Sequence, residues 1–163
     1  MTDGRRAGPW VVVGSALEVG ASGSGAVEFS AVASTDDPAV RALLEQPNYA
    51  VISTANADGS IHSAVIWVDL EDGAVAVNSA IGRVWPTNLE RDPRATVLVF
   101  PASNPYEYVE IRGEAKRADD GADEHIDRLA KKYIGQDTYP FRQPGEQRVK
   151  FVITPGHVRH TKQ

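Results

Sequence analysis

The residues best placed to do chemistry lie in one run, Asn78-Ser79-Ala80-Ile81-Gly82-Arg83-Val84-Trp85-Pro86-Thr87-Asn88-Leu89-Glu90-Arg91-Asp92-Pro93-Arg94. A strand ends there in small polar residues and a glycine, and a short helix begins. Such a turn exposes backbone N–H groups and the positive end of a helix dipole, which together attract an anion. Arg83 is placed to add a bidentate contact to a phosphate. With Arg91 and Arg94 it makes a local positive patch in a chain whose net charge is −5. Arg91 and Arg94 have ready partners in Glu90 and Asp92 on a solvated face. Arg83 is therefore the arginine read as a ligand contact.

Elsewhere the sequence is poor in recognisable chemistry. It holds no GxGxxG after a first strand and no P-loop, and no serine sits in a GxSxG elbow. The absence of cysteine excludes disulfides, thiolate catalysis and cysteine-based zinc sites. Of the four histidines, His62 opens a strand after a turn and reads as a surface residue. His125 falls on the polar side of a helix and reads as solvated. His157 and His160 are three apart, but no third histidine or acidic partner lies nearby in sequence, so no metal site is expected.

The elements that must position the Asn78–Arg94 run are short. Thr35-Asp36-Asp37-Pro38 starts a helix with a capping side chain and an early proline; Val40, Leu43 and Leu44 give it one apolar face, and Pro47 ends it. Tyr49–Thr54 and Ile61–Leu70 read as strands joined by the turn Asn56-Ala57-Asp58-Gly59. After Glu71-Asp72-Gly73, Ala74–Asn78 is a third strand. A helix over Trp85–Arg91 stops at Asp92-Pro93, followed by strands at Ala95–Phe100 and Tyr106–Ala115. Ile126, Leu129, Ala130 and Tyr133 recur at helical spacing within Ala122–Tyr133, with Asp123 and Glu124 in the first turn. The loop Gly135–Gly145 is rich in Pro, Gly and aromatic residues, and Val149–Thr154 is a last strand. Six short strands with hairpin turns and flanking helices predict a mainly β (α+β) protein built on a six-stranded antiparallel barrel.

Length and composition fit that picture. The 163 residues suffice for one domain with its own core. Residues 1–34, with the linker-like Gly20–Gly25 and candidate strands at Val11–Val13 and Val27–Val32, read as an N-terminal extension; residues 35–163 form the barrel domain. No apolar run approaches the ~20 residues of a membrane span, and Trp10–Val13 is too short for a signal-peptide core, so a cytoplasmic protein is expected. The acidic balance, with a pI near 5.3, speaks against nucleic acid as a partner.

The succession Asp58-Gly59, Ile61-His62-Ser63, Val65-Ile66-Trp67, Asn78-Ser79-Ala80, Gly82-Arg83, Asn88-Leu89 and Arg91-Asp92-Pro93-Arg94 resembles the pyridoxamine 5′-phosphate oxidase-like split β-barrels. Within that superfamily it is most similar to the actinobacterial deazaflavin (coenzyme F420)-dependent oxidoreductases. Asn104-Pro105-Tyr106, Val109–Gly113, Asp127–Ala130 with Tyr133, and Tyr139-Pro140-Phe141 continue the likeness, which spans about Asp37 to Val158.

The resemblance implies a homodimer of FMN-binding split-barrel type with two cofactor sites at the subunit interface. It implies that Val65, Ile66 and Trp67 line the cofactor ring, that Asn78, Ser79, Ala80, Arg83 and Asn88 hold the phosphate end, and that Tyr106 reaches the site from the partner. Relatives often carry lysine or arginine two and four residues after the loop arginine; here those positions are Trp85 and Thr87. Trp85 either stacks on the cofactor or packs its helix onto the barrel. The implied function is hydride transfer between reduced coenzyme F420 and a small organic acceptor, with no catalytic residue identified. The alternatives are an FMN-dependent oxidoreductase and a non-catalytic flavin or deazaflavin carrier.

Overall fold

The computed structural model describes residues 33–163, so Val11–Val13, Val27–Val32 and all but the last two residues of the proposed extension lie outside the described residues. Helix α1 (Pro38–Glu45) is capped by the Asp37 side chain, which accepts from the Ala39 N–H at 2.9 Å. The Thr35 hydroxyl donates instead to the Gly73 carbonyl at 2.7 Å. Strands β1 (Tyr49–Ala55) and β2 (Ile61–Ile66) form the expected hairpin, and β3 (Val68–Glu71) and β4 (Ala74–Ala80) a second. Helix α2 (Val84–Arg91) ends at Asp92, held extended before Pro93. Then come β5 (Arg94–Phe100), β6 (Tyr108–Arg117), helix α3 (Ala122–Ile134) and β7 (Arg148–Thr161). None of these helices is long and apolar enough to cross a membrane.

The strands form one antiparallel sheet in the order β2-β1-β5-β6-β7-β4-β3. There are seven strands rather than six, because the run expected as one strand over Ile61–Leu70 is broken at Trp67. The break explains the architecture. β2 and β3 are the two edges of the sheet, yet only Trp67 separates them in the chain, so the sheet must curl until its edges meet at that residue. A continuous β-prone run carries no local sign of such a corner. Val68 opens β3 opposite Val77, and α3 supplies partners for its N–H and carbonyl. The Val68 N–H donates to the Tyr133 hydroxyl at 3.1 Å, and Lys132 donates to the Val68 carbonyl at 2.7 Å and to the Leu44 carbonyl. Burial pushes the Tyr133 phenol up to about 12 and Lys132 below its ordinary range.

The second difference from expectation is the length of β7. The strand expected to end at Thr154 runs on through Pro155-Gly156. A bulge resolves the conflict: Gly113 faces Pro155 and Arg112 faces His157, so Gly156 is the extra residue and the ladder resumes to Thr161. The interior is filled by alternate residues of every strand, among them Ile52, Val75, Val77, Val97, Ile111, Phe151 and Ile153. Val40 and Leu44 of α1 and Leu89 of α2 close its ends.

Candidate functional site

The corner at Trp67 opens into a cleft of about 180 Å³. Val65, Ile66 and Trp67 line it from the corner, Asn78 and Ser79 from the end of β4, and Arg83 and Trp85 from the entry to α2. These seven were expected at one site, and the chain brings them together. Ala80 is buried beside the cleft but does not line it. Asn88 is buried too; it donates to the Thr54 hydroxyl and to Asn56 Oδ1 and accepts from Arg91, tying α2 to the first hairpin. Tyr106 lies before β6, is 66% exposed and does not line the cleft.

Four lining residues carried no site role in the sequence reading: Ile126 of α3, Tyr139 and Phe141 of the following loop, and Arg148 at the start of β7. Tyr139 and Phe141 were visible only as part of an aromatic-rich loop. That loop is anchored on α3, since Asp127 accepts from the Tyr139 N–H at 2.8 Å and Arg142 pairs with Asp123 and Asp127. Arg148 lay one residue before the expected strand, and its role depends on the β4–β7 register that sets it opposite Ala80.

The aromatic groups form a wall. Trp67 stacks on Tyr133 at 5.2 Å with an interplanar angle of 9°, and Tyr139 meets Trp67 edge-on at 5.9 Å and Phe141 at 5.7 Å. Trp85 is 5% exposed and packs on Phe151, so it belongs to the core while lining the cleft.

Beneath the wall runs a polar chain. The Arg148 side chain, 3% exposed, donates from Nε to Asn78 Oδ1 at 2.8 Å and from Nη1 to Glu146 at 2.6 Å, and lies over the Tyr139 ring. Asn78 Nδ2 donates to the Ala122 carbonyl at 2.8 Å and faces His125 Nδ1 at 3.3 Å, so both its N–H donors stay inside the protein. Arg83 is 58% exposed, and its nearest carboxylate is Glu146 at 4.0 Å. The first bond of α2 runs from the Thr87 N–H to the Arg83 carbonyl, which leaves the Val84 and Trp85 N–H groups at the free end of the helix.

His125 is not solvated, as its place on α3 had suggested; it is completely buried. It lies three residues after Ala122 and four before Leu129, which puts it on the buried face. Because Nδ1 accepts from Asn78, the proton sits on Nε2, which finds no partner. Burial pushes the ring's pKa down to about 4. Its ligand atom and those of Asp69 and Glu71 lie within 4.8 Å of one another. Glu71, however, is paired with Arg128 at 2.6 Å and Lys150 at 3.1 Å, and two cations already balance the two carboxylates. That arrangement, with a protonated Nε2, is a neutralised ion cluster rather than a metal cage.

Of the other two arginines of the expected patch, Arg94 pairs with Asp92 at 2.6 Å, while Arg91 bonds to Asn88 and the Ala55 carbonyl rather than to Glu90. A larger groove of about 590 Å³ on the sheet includes Arg94 and Arg112, but Asp92 and Glu110 neutralise them. Arg83 stays the cation best exposed beside an aromatic cleft.

A curled antiparallel sheet closed at one corner, with flanking helices and a cleft at that corner, defines a split β-barrel. The family model for pyridoxamine 5′-phosphate oxidase matches residues 36–162, and the chain belongs to that family. Solved structures share the fold. An F420 reductase is 24% identical over 73% of this chain and 94% of its own, with a TM-score of 0.64. A conserved hypothetical protein from Mycobacterium tuberculosis is 19% identical over 78% and 84%, at 0.62. A pyridoxamine 5′-phosphate oxidase-related, FMN-binding protein from Nostoc punctiforme is 12% identical over 80% and 86%, at 0.55. No curated protein sequence matches the chain.

Proposed function

We propose that the protein is a homodimeric oxidoreductase that binds coenzyme F420 in the cleft at Trp67 and passes a hydride between it and a small organic acceptor. The observation that carries this is the make-up of the cleft. Its lining offers aromatic and aliphatic walls, Asn78, Ser79 and two arginines, and the carboxylate behind them, Glu146, is paired with Arg148. None of these side chains is a redox group, so redox chemistry here needs a bound one, and a deazaflavin supplies a hydride from its ring when bound. The residues present suit such a ligand: Trp67, Tyr139 and Phe141 can flank a planar ring, and Arg83 with the free N–H groups of α2 suits a phosphate. The protein's part is to orient the ring, exclude water from it and fix the anionic tail. FMN is the second reading, supported by the FMN-binding relative of the same fold.

Arg83→Ala tests the site. A hydrogen bond to a charged group contributes about 1.5–3 kcal/mol, so the dissociation constant for the cofactor should rise ten- to a hundredfold by fluorescence titration. Folding stability should move by less than about 1 kcal/mol, because Arg83 is mostly exposed. A dissociation constant within twofold of wild type excludes this phosphate site. Titration with FMN in parallel ranks the two cofactors. Oxidation of the reduced cofactor by a panel of enones and quinones separates an enzyme from a carrier.

The dimer rests on the outer face of β2, β1 and β5. The register sets Val65 beside Val51 and Val51 beside Leu98, with Tyr49 beside Phe100 and Ile61 beside Ala55. Tyr49, Ile61 and Val65 are 57%, 65% and 73% exposed. A solvated sheet face is normally polar, so exposed apolar rows on both sides of the single polar row Ser63, Ser53 and Thr96 mark an interface. Val65 belongs to both that face and the cleft, and about 180 Å³ is less than the ~300–1,000 Å³ of a usual ligand pocket. A second copy seated on this face would complete the cleft. Light scattering at micromolar concentration should return twice the chain mass; a monomer in the presence of cofactor rejects the dimer.

A further inference from the structure

We infer that Glu146 sets the charge selectivity of the phosphate end of the cleft, so that it takes a phosphate carrying one negative charge in preference to one carrying two. The inference rests on the cofactor reading above. The Glu146 side chain is 7% exposed and lies between both arginines of the site, with one oxygen 2.6 Å from Arg148 Nη1 and the other 4.0 Å from Arg83 Nη2. A buried carboxylate so placed is a built-in counter-ion. It neutralises Arg148, whose remaining contacts are Asn78 and the Tyr139 ring, and it shares the charge of Arg83. The site thus holds two guanidinium groups and one carboxylate, a surplus of one positive charge.

An anion bonded to Arg83 lies within a Debye length of the buried Glu146 carboxylate, about 8 Å at physiological salt. One negative charge on the phosphate balances the surplus. A second meets Glu146 with no cation left for it and is repelled. A phosphate diester carries one charge, as in coenzyme F420, whereas the monoester of FMN carries nearly two at neutral pH.

The test uses three ligands that share one ring and differ only in the tail: the uncharged ribityl compound, its 5′-phosphate, and the methyl ester of that phosphate. Each is titrated by fluorescence, in the deazaflavin and flavin series, against the full chain and Glu146→Gln. In wild type the methyl ester should bind about tenfold tighter than the free phosphate. In E146Q the free phosphate should gain about tenfold and equal or overtake the ester, while the uncharged compound shifts by less than twofold. A wild-type protein that binds the free phosphate as tightly as the ester overturns the inference, and that comparison needs no variant. An E146Q protein with an unchanged ester-to-phosphate ratio overturns it as well. In both cases the cofactor reading stands if the uncharged compound binds; if no member of either series binds wild type, the cofactor reading itself fails.

Discussion

Replacing Gly113 with alanine is expected to lower stability by about 3 kcal/mol and the melting temperature by roughly 10 °C. A Cβ on Gly113 would fall well inside van der Waals contact of the Thr154 carbonyl oxygen, and 3.0 Å from Ile153 Cγ2. The first neighbour is backbone and cannot rotate away. Thr154 is also the residue before Pro155 at the β6–β7 bulge, so moving it disturbs the register across which Ile111 and Val158 face each other. Gly156→Ala is the matched control. It lies one step further along the same bulge, and its Cβ would sit 3.6 Å from the Arg112 carbonyl, an ordinary contact. Its melting temperature should stay within a few degrees of wild type. Equal losses in the two variants would mean that the bulge as a whole, not the close approach at Gly113, sets the sensitivity.

This contrast also shows which parts of the molecule are legible in sequence. Local signals were reliable: Asp37 with Pro38 started α1, the Asp58-Gly59 turn joined β1 to β2, and Asp92-Pro93 stopped α2. Each depends on a few neighbouring residues whose backbone preferences act before tertiary contacts form. The Trp67 corner depends instead on the closure of the whole sheet. The continuation of β7 past Thr154 rests on a bulge that is defined by the opposite strand, with Gly113 as its counterpart. The cleft divides in the same way. Residues near the glycine turn announced themselves through Arg83, whereas Arg148, Tyr139 and Phe141 reach the site from far along the chain by the β4–β7 pairing and the loop anchored at Asp127. Asn88 shows the converse, a polar side chain in the right run whose bonds turn inward to Thr54 and Asn56.

His125 should make the fold sensitive to acid well above the carboxylate range. In the unfolded chain the imidazole titrates near 6.5, while burial holds it neutral in the native state until about pH 4. Between those values the unfolded state binds a proton that the native state refuses, so stability is full above about 6.5 and falls as the pH drops. Over pH 7 to 5 the loss from this one residue is about 2 kcal/mol, at about 1.4 kcal/mol per unit. Glu71 is shifted down by Lys150, against its own desolvation, from an ordinary value of 4.5, so its contribution is lost only at lower pH and leaves the upper window clear. Urea unfolding at pH 7, 6 and 5 measures the slope. His125→Gln removes the titrating group and keeps an oxygen able to accept from Asn78, so its profile over this range should be much flatter than wild type. Should the two profiles run parallel, the acid sensitivity belongs to other residues. The same comparison reaches the cleft, because His125 supports Asn78 and Asn78 holds Arg148. If the glutamine also fails to support Asn78, the aromatic wall loses the cation under Tyr139, and ligand affinity should fall along with stability.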